Sequence, residues 1–184
     1  MSILKNFAKA GFVAIILASF SASAQNNASP KESAPDTPDA IAIPDGLVPV
    51  LFVRASGSQI YTCQAAADGT FSWTLKAPEA ELKDRNDKVI GQHSAGPTWK
   101  LKDGSEVTGK AVAHVDSLDS DSISWLLLNV VSNSGKGALA KVTTIQRVHT
   151  HGGKPGNDPC DESHKGVETK SQYTADYYFY APAK

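Results

Sequence analysis

Hydrophobic and polar residues alternate with a period of two through most of the chain beyond residue 45. Phe71, Trp73 and Leu75 share one face of such a segment, and polar side chains occupy the positions between them. Near the C-terminus the same alternation places four residues on one face: Tyr173, Ala175, Tyr177 and Phe179. Successive side chains of a β-strand point to opposite sides, so this pattern predicts half-buried strands rather than helices.

Segment 123–131 is apolar on both faces, which is typical of a strand in the middle of a core. Further strands are predicted at 48–54, 59–65, 88–93, 98–102, 106–115 and 142–150. Asp68-Gly69, Asp103-Gly104 and Asn133-Ser134-Gly135 separate strand-like runs, and these residue types favour the left-handed backbone of tight turns. The chain is therefore predicted to be all-β, a single antiparallel β-sandwich or barrel. One long polar loop, residues 151–166, interrupts the pattern.

The N-terminus has the three parts of a secretory signal peptide. Lys5 and Lys9 precede an apolar run at 10–20, and Ala22-Ser23-Ala24 offers small residues for cleavage. The run is too short to span a bilayer, which needs about 20 residues. We predict a signal peptide at 1–24, a disordered leader rich in Pro and polar residues at 25–44, and the β domain at 45–184. The protein is then secreted or periplasmic.

Charge and cysteine count narrow the classes of partner. Loss of Lys5 and Lys9 with the signal peptide would change the formal charge from −1 to −3, which does not favour nucleic acid. No later segment is apolar enough to span a membrane. In an exported chain Cys63 and Cys160 predict one disulfide, worth about 4–5 kcal/mol in the chain-entropy model. The alternatives are two free thiols or a metal pair.

Several strings are specific when they are taken together. They are Gly57–Cys63, His93–Trp99, Asp103–Ser105, Trp125–Leu128, Ile145–Val148 with Thr150 and Gly152-Gly153, and Tyr173–Tyr180. In this combination residues 45–181 resemble the domain of unknown function 3455 family, found in secreted bacterial and fungal proteins. The resemblance implies no mechanism, although some fungal relatives carry a malate dehydrogenase label.

One motif could support a dehydrogenase. Gly135, Gly137 and Ala140 match the dinucleotide pattern G-x-G-x-x-A after a predicted strand. That pattern must open a helix whose N-terminus holds the pyrophosphate, and the β-branched run 142–145 favours a strand instead. The sequence therefore favours a glycine-rich hairpin loop over an NAD-dependent dehydrogenase, and we expect no cofactor.

The best metal candidates are His149 and His151, which would share one face if their strand continues regularly. His93 and the loop residues Asp158, Asp161 and His164 offer further ligands of the kind that zinc or copper takes. The alternative is a pair of solvated histidines at a loop edge. Two spaced histidines without a fixed third ligand are a poor metal signature, so no metal is assigned.

Other candidate ligand-binding residues are His93, Trp99, Asp103 and Arg147. Trp99 could form a stacking platform with His93 and Asp103 as polar partners, or it could fill the core while Asp103 accepts turn hydrogen bonds. Arg147, within an apolar run, could bind an anion or pair with Asp176.

No motif for a nucleophile, a metalloprotease or a phosphate loop is present. The leading hypothesis is a non-catalytic binding or structural module of the cell envelope, with a small molecule or an envelope component as partner. The alternative is a secreted hydrolase or metal-assisted enzyme that uses His93, His149 or Arg147.

Overall fold

The computed structural model describes Met1 and residues 32–183, so the predicted signal peptide lies almost wholly outside the described residues. Within the described part, eight antiparallel strands close into a barrel in which each strand pairs with its neighbours in sequence and the last pairs with the first. This confirms the predicted all-β class and selects the barrel. The strands are β1 Leu47–Ala65, β2 Phe71–Lys83, β3 Val89–Ser94, β4 Thr98–Leu101, β5 Glu106–Val115, β6 Trp125–Ser134, β7 Thr144–Gly152 and β8 Glu168–Pro182.

The period-two pattern of β8 sets the inner face of the barrel, as the sequence predicts. Its alternate residues 173, 175, 177 and 179 are all buried in the main core cluster. The predicted turns are also confirmed, because Gly69, Gly104 and Gly135 each have a positive φ. Leu75 departs from the pattern: it is exposed, although it was expected on the half-buried face of its strand.

Strand β1 runs without interruption where the sequence predicts two strands. The segment Ser56-Gly57-Ser58 resembles a break, but Gly57 pairs with Ala80 on β2 and with Tyr173 on β8. A Cβ atom at Gly57 would overlap the backbone of β2. The glycine therefore allows close approach of neighbouring strands instead of ending the strand.

The β3–β4 hairpin is short, and it leaves an opening in the barrel wall. Strand β2 pairs with β3 only over residues 80–83, and β4 pairs with β5 only over residues 106–108 of β5. Among the described residues, segments 71–79 of β2 and 110–115 of β5 therefore have no strand partner on the side that faces this hairpin. Leu75 and Val112, both exposed, lie on these unpaired parts.

Residues 32–46, which we call the strap, contact the outside of the barrel. They include a 3-10 turn at Asp39–Ile41, and Ile41 is 0% exposed in a second apolar cluster with Trp125 and Tyr180. The buried amide of Gln146 donates to Ile41 O at 2.8 Å. The sequence predicts residues 32–44 as part of the leader, because isolated apolar side chains such as Ile41 and Ile43 among proline and polar residues give no periodic signal.

The predicted disulfide is confirmed between Cys63 and Cys160, 97 residues apart. It fixes the loop between β7 and β8 to the end of β1. Trp73 Nε1 donates to Asp158 O at 3.0 Å, and a 3-10 turn at Glu162–His164 lies in the same loop. Among residues 32–183, no helix has the length and apolar character needed to cross a membrane.

Candidate functional site

His93 and Trp99 pair across the β3–β4 hairpin and both point into the barrel. Their ring centroids lie 4.4 Å apart with an interplanar angle of 12°. The rings of His93 and Tyr177 meet edge to face, with their centroids 5.3 Å apart. His93 is 3% exposed and Trp99 is 1% exposed. Burial lowers the pKa of His93 to about 4, with a smaller effect from the positive charge of Arg147. His93 is therefore neutral at pH 7.

Arg147 also faces the interior, because it lies opposite Leu126 on β6 and Tyr177 on β8. Its Nε and Nη2 donate to Ser124 O at 3.1 and 2.7 Å. No carboxylate among residues 32–183 lies within 4.0 Å of the guanidinium.

The ion pair predicted between Arg147 and Asp176 is wrong. Asp176 lies one position further along the ladder, opposite Val148, and so on the outer face of the sheet. There it contacts Arg54 at 3.6 Å and accepts from His149 Nδ1 at 3.0 Å. A shift of one residue places a side chain on the other side of a sheet, which separates the two residues.

A cavity of about 380 Å³ lies in the opening above the β3–β4 hairpin. Its polar lining includes Arg147, His93 and Gln59, and Lys76 at its edge is paired with Glu168. The remaining walls are mostly apolar and come from Leu75, Ala77, Pro78, Pro97, Ala111, Leu126 and Leu128. A second cavity of about 520 Å³, between β5 and the β5–β6 loop, shares Arg147 with the first. The guanidinium thus lies where the two cavities adjoin.

Three buried donors of the barrel interior have no acceptor in hydrogen-bond geometry among the described residues. They are Trp99 Nε1, Tyr173 Oη and Tyr177 Oη. Burial raises the pKa of both tyrosines, and the positive charge of Arg147 opposes this rise. Buried polar groups are normally hydrogen-bonded, so these unpaired donors distinguish the barrel interior from an ordinary apolar core. Trp125 Nε1, in the second apolar cluster, is unpaired as well.

The remaining predicted candidates lie elsewhere. His149 has a φ of 48° in an irregular stretch of β7, so the regular strand assumed for His149 and His151 is interrupted. His149 is on the outer surface beside Trp125. Among residues 32–183, no three His, Cys, Asp or Glu side chains converge in a way that could hold a metal ion.

Asp103 lies at the opposite end of the barrel from the cavity. Its carboxylate accepts from Ser105 N and Oγ at 2.8 and 2.6 Å, and from Ala138 N at 2.8 Å. Ala138 belongs to the glycine-rich motif, which forms a turn and not a helix. A Cβ atom at Gly137 would overlap the Asp103 carboxylate. The loop therefore holds a carboxylate of its own chain where a nucleotide phosphate was considered.

Sequence reasoning missed Gln59. Along β1 the inward positions Leu51, Val53, Ala55 and Gly57 are apolar or small, and Gln59 follows them in the same alternation. A polar residue in an otherwise apolar register was a usable signal, because buried amides need partners. The sequence predicts Tyr173 and Tyr177 only as part of one face of a strand, and their unpaired hydroxyls are recognised only in three dimensions.

Over residues 32–183 the fold and the site define an antiparallel β-barrel with a small, mostly apolar cavity that Arg147 lines. A family model described as a protein of unknown function (DUF3455) matches residues 44–181. The chain belongs to this family. A search of curated proteins found no match, and a search of solved structures also found none.

Proposed function

We propose that this chain is an exported, non-catalytic module that binds a small anionic molecule in the opening of its barrel. The observation that carries the proposal is the inward-facing Arg147, whose charge has no carboxylate partner among the described residues. Arg147 is half-buried, and a partly buried guanidinium favours a counter-charge or a polar ligand.

The hydrogen bonds of Arg147 leave room for an anion. A guanidinium has five N–H groups, and two of them point to Ser124 O. The guanidinium also approaches the hydroxyl of Tyr177, so two of its N–H groups remain for a carboxylate or phosphate, which an arginine can bind through two parallel bonds. The apolar walls around it suit the rest of a small organic molecule.

Export is supported by two separate features. The disulfide between Cys63 and Cys160 is of a type that persists in oxidising compartments. The predicted signal peptide at residues 1–24 would deliver the chain there. N-terminal sequencing of the protein recovered from the periplasm or medium should begin near Gln25, and an intact Met1 would contradict export.

Binding can be tested with two related dyes. Anilinonaphthalene sulfonate is anionic, and N-phenylnaphthylamine has the same aromatic frame without the sulfonate. We expect Arg147→Gln to weaken binding of the anionic dye at least about tenfold, because charge-assisted bonds are lost. The neutral dye should change less than about twofold.

Arg54→Gln is the matched control, because it removes the same charge from the outer face of β1, where Arg54 pairs with Asp176. It should leave both dyes unaffected. Equal weakening by the two variants, or equal effects on the two dyes, would contradict a specific anion site at Arg147. Near-ultraviolet circular dichroism would verify that each variant keeps its packed core.

A further inference from the structure

The protonation of His93 is fixed by its hydrogen bond. His93 Nδ1 lies 2.9 Å from Thr98 O, and a backbone carbonyl can only accept, so Nδ1 carries the proton. The ring is buried and neutral at pH 7, so Nε2 holds a lone pair and acts as an acceptor.

The second ring nitrogen of His93 is available for a hydrogen bond. His93 Nε2 has no hydrogen-bond partner among residues 32–183, yet it is not one of the buried polar atoms that are sealed from solvent. The side chain points inward and stacks on Trp99, and His93 lines both the 380 Å³ cavity and a pocket of about 490 Å³ beside β1, β2 and β3. Arg147 lines the same cavity. One cavity therefore presents a cationic fork and a neutral acceptor, separated by apolar wall.

We propose that the preferred ligand is a hydroxylated carboxylic acid with a compact apolar body, its carboxylate on Arg147 and its hydroxyl donating to His93 Nε2. This inference rests on the proposed function and specifies the ligand of the same site. A ligand without a donor would leave Nε2 desolvated and unpaired, and a site built around such a group discriminates against it.

Benzoate and its 3- and 4-hydroxy derivatives are suitable probes, because they share one apolar body and one carboxylate. Calorimetric titration at pH 7 should show that at least one hydroxybenzoate binds about fivefold more tightly than benzoate, the effect of one added hydrogen bond. Arg147→Gln should weaken benzoate and the hydroxybenzoates alike and leave their ratio unchanged.

Two variants of His93 separate its two nitrogens. In His93→Asn the side-chain amide can still donate to Thr98 O, but the acceptor at the Nε2 position is lost. In His93→Gln the amide reaches the Nε2 position instead. We expect the preference for hydroxybenzoate to fall within twofold of unity in His93→Asn and to persist in His93→Gln.

The outcomes distinguish this inference from the function on which it rests. Equal binding of benzoate and hydroxybenzoates by the wild-type chain, or an unchanged preference in His93→Asn, would overturn it. If none of the three acids binds while the anionic dye binds through Arg147, the ligand class is wrong and the anion site stands. If the dye also binds without dependence on Arg147, both proposals fail.

Discussion

Protonation of His93 should destabilise the barrel in a defined pH range. In the folded chain the pKa of His93 is about 4, and the ordinary value is 6.5. Between these values the unfolded chain binds a proton that the folded chain does not, so the free energy of unfolding falls as the pH is lowered. The full effect is about 3 kcal/mol, of which about 2 kcal/mol lies between pH 7 and pH 4.5.

The range above pH 4.5 isolates this histidine from the carboxylates. Asp103 and Asp161 accept hydrogen bonds that lower their pKa from 3.8, and Glu79 is lowered from 4.5 by Lys170. A carboxylate whose pKa is lower in the folded chain than in the unfolded chain stabilises the fold. This stability is lost as the pH falls below the pKa that the carboxylate has in the unfolded chain. Their losses therefore occur mainly at a lower pH than most of the His93 effect.

Urea unfolding of the disulfide-bonded protein between pH 4.5 and 7.5 measures the effect. The His93→Asn variant, which retains a donor for Thr98 O, should lose most of the pH dependence that the wild-type chain shows. The exposed His114→Asn variant should keep it. Parallel curves for the wild-type chain and His93→Asn would refute the assignment of this stability to a buried neutral imidazole.

Three further predictions concern stability. Replacing Cys63 and Cys160 by alanine should lower the free energy of unfolding by about 4–5 kcal/mol, because the disulfide spans 97 residues; a loss below about 1 kcal/mol in urea unfolding would contradict this. Ile41→Ala should cost about 2–5 kcal/mol, since the strap would lose its buried side chain, and an unchanged melting temperature would contradict this packing. Asp103→Ala should lower the free energy of unfolding by about 1 kcal/mol more than Asp68→Ala. Both carboxylates cap an Asp-Gly turn, but only Asp103 also accepts a bond from a second loop. Equal losses of stability in thermal unfolding would contradict a stabilising role for the bond to that loop.

The strands and turns could be predicted from the sequence because their signals are local. The alternation in β8 and the Asp103-Gly104 turn each depend on a few neighbouring residues. The choice between sandwich and barrel could not be predicted. Closure depends on pairing between β1 and β8, more than 100 residues apart, and no short segment encodes that contact.

The site was only partly predictable for a related reason. His93, Trp99 and Arg147 were recognised as unusual residues, and the structure places all three in the barrel interior. The partner proposed for Arg147 was wrong because the ladder register, which composition does not reveal, decides which residue faces inward. His149 and His151 were grouped on the assumption of a regular strand, and the irregular stretch of β7 could not be foreseen from residue types.

The bond from Ala138 N to the Asp103 carboxylate ties the β4–β5 and β6–β7 turns together at the end of the barrel away from the cavity. The bond that joins the two turns and the opening of the barrel thus lie at opposite poles of one small scaffold. Substitutions around the opening therefore leave the contacts that join the turns at the other pole in place. The same separation makes the opening a practical target for directed evolution.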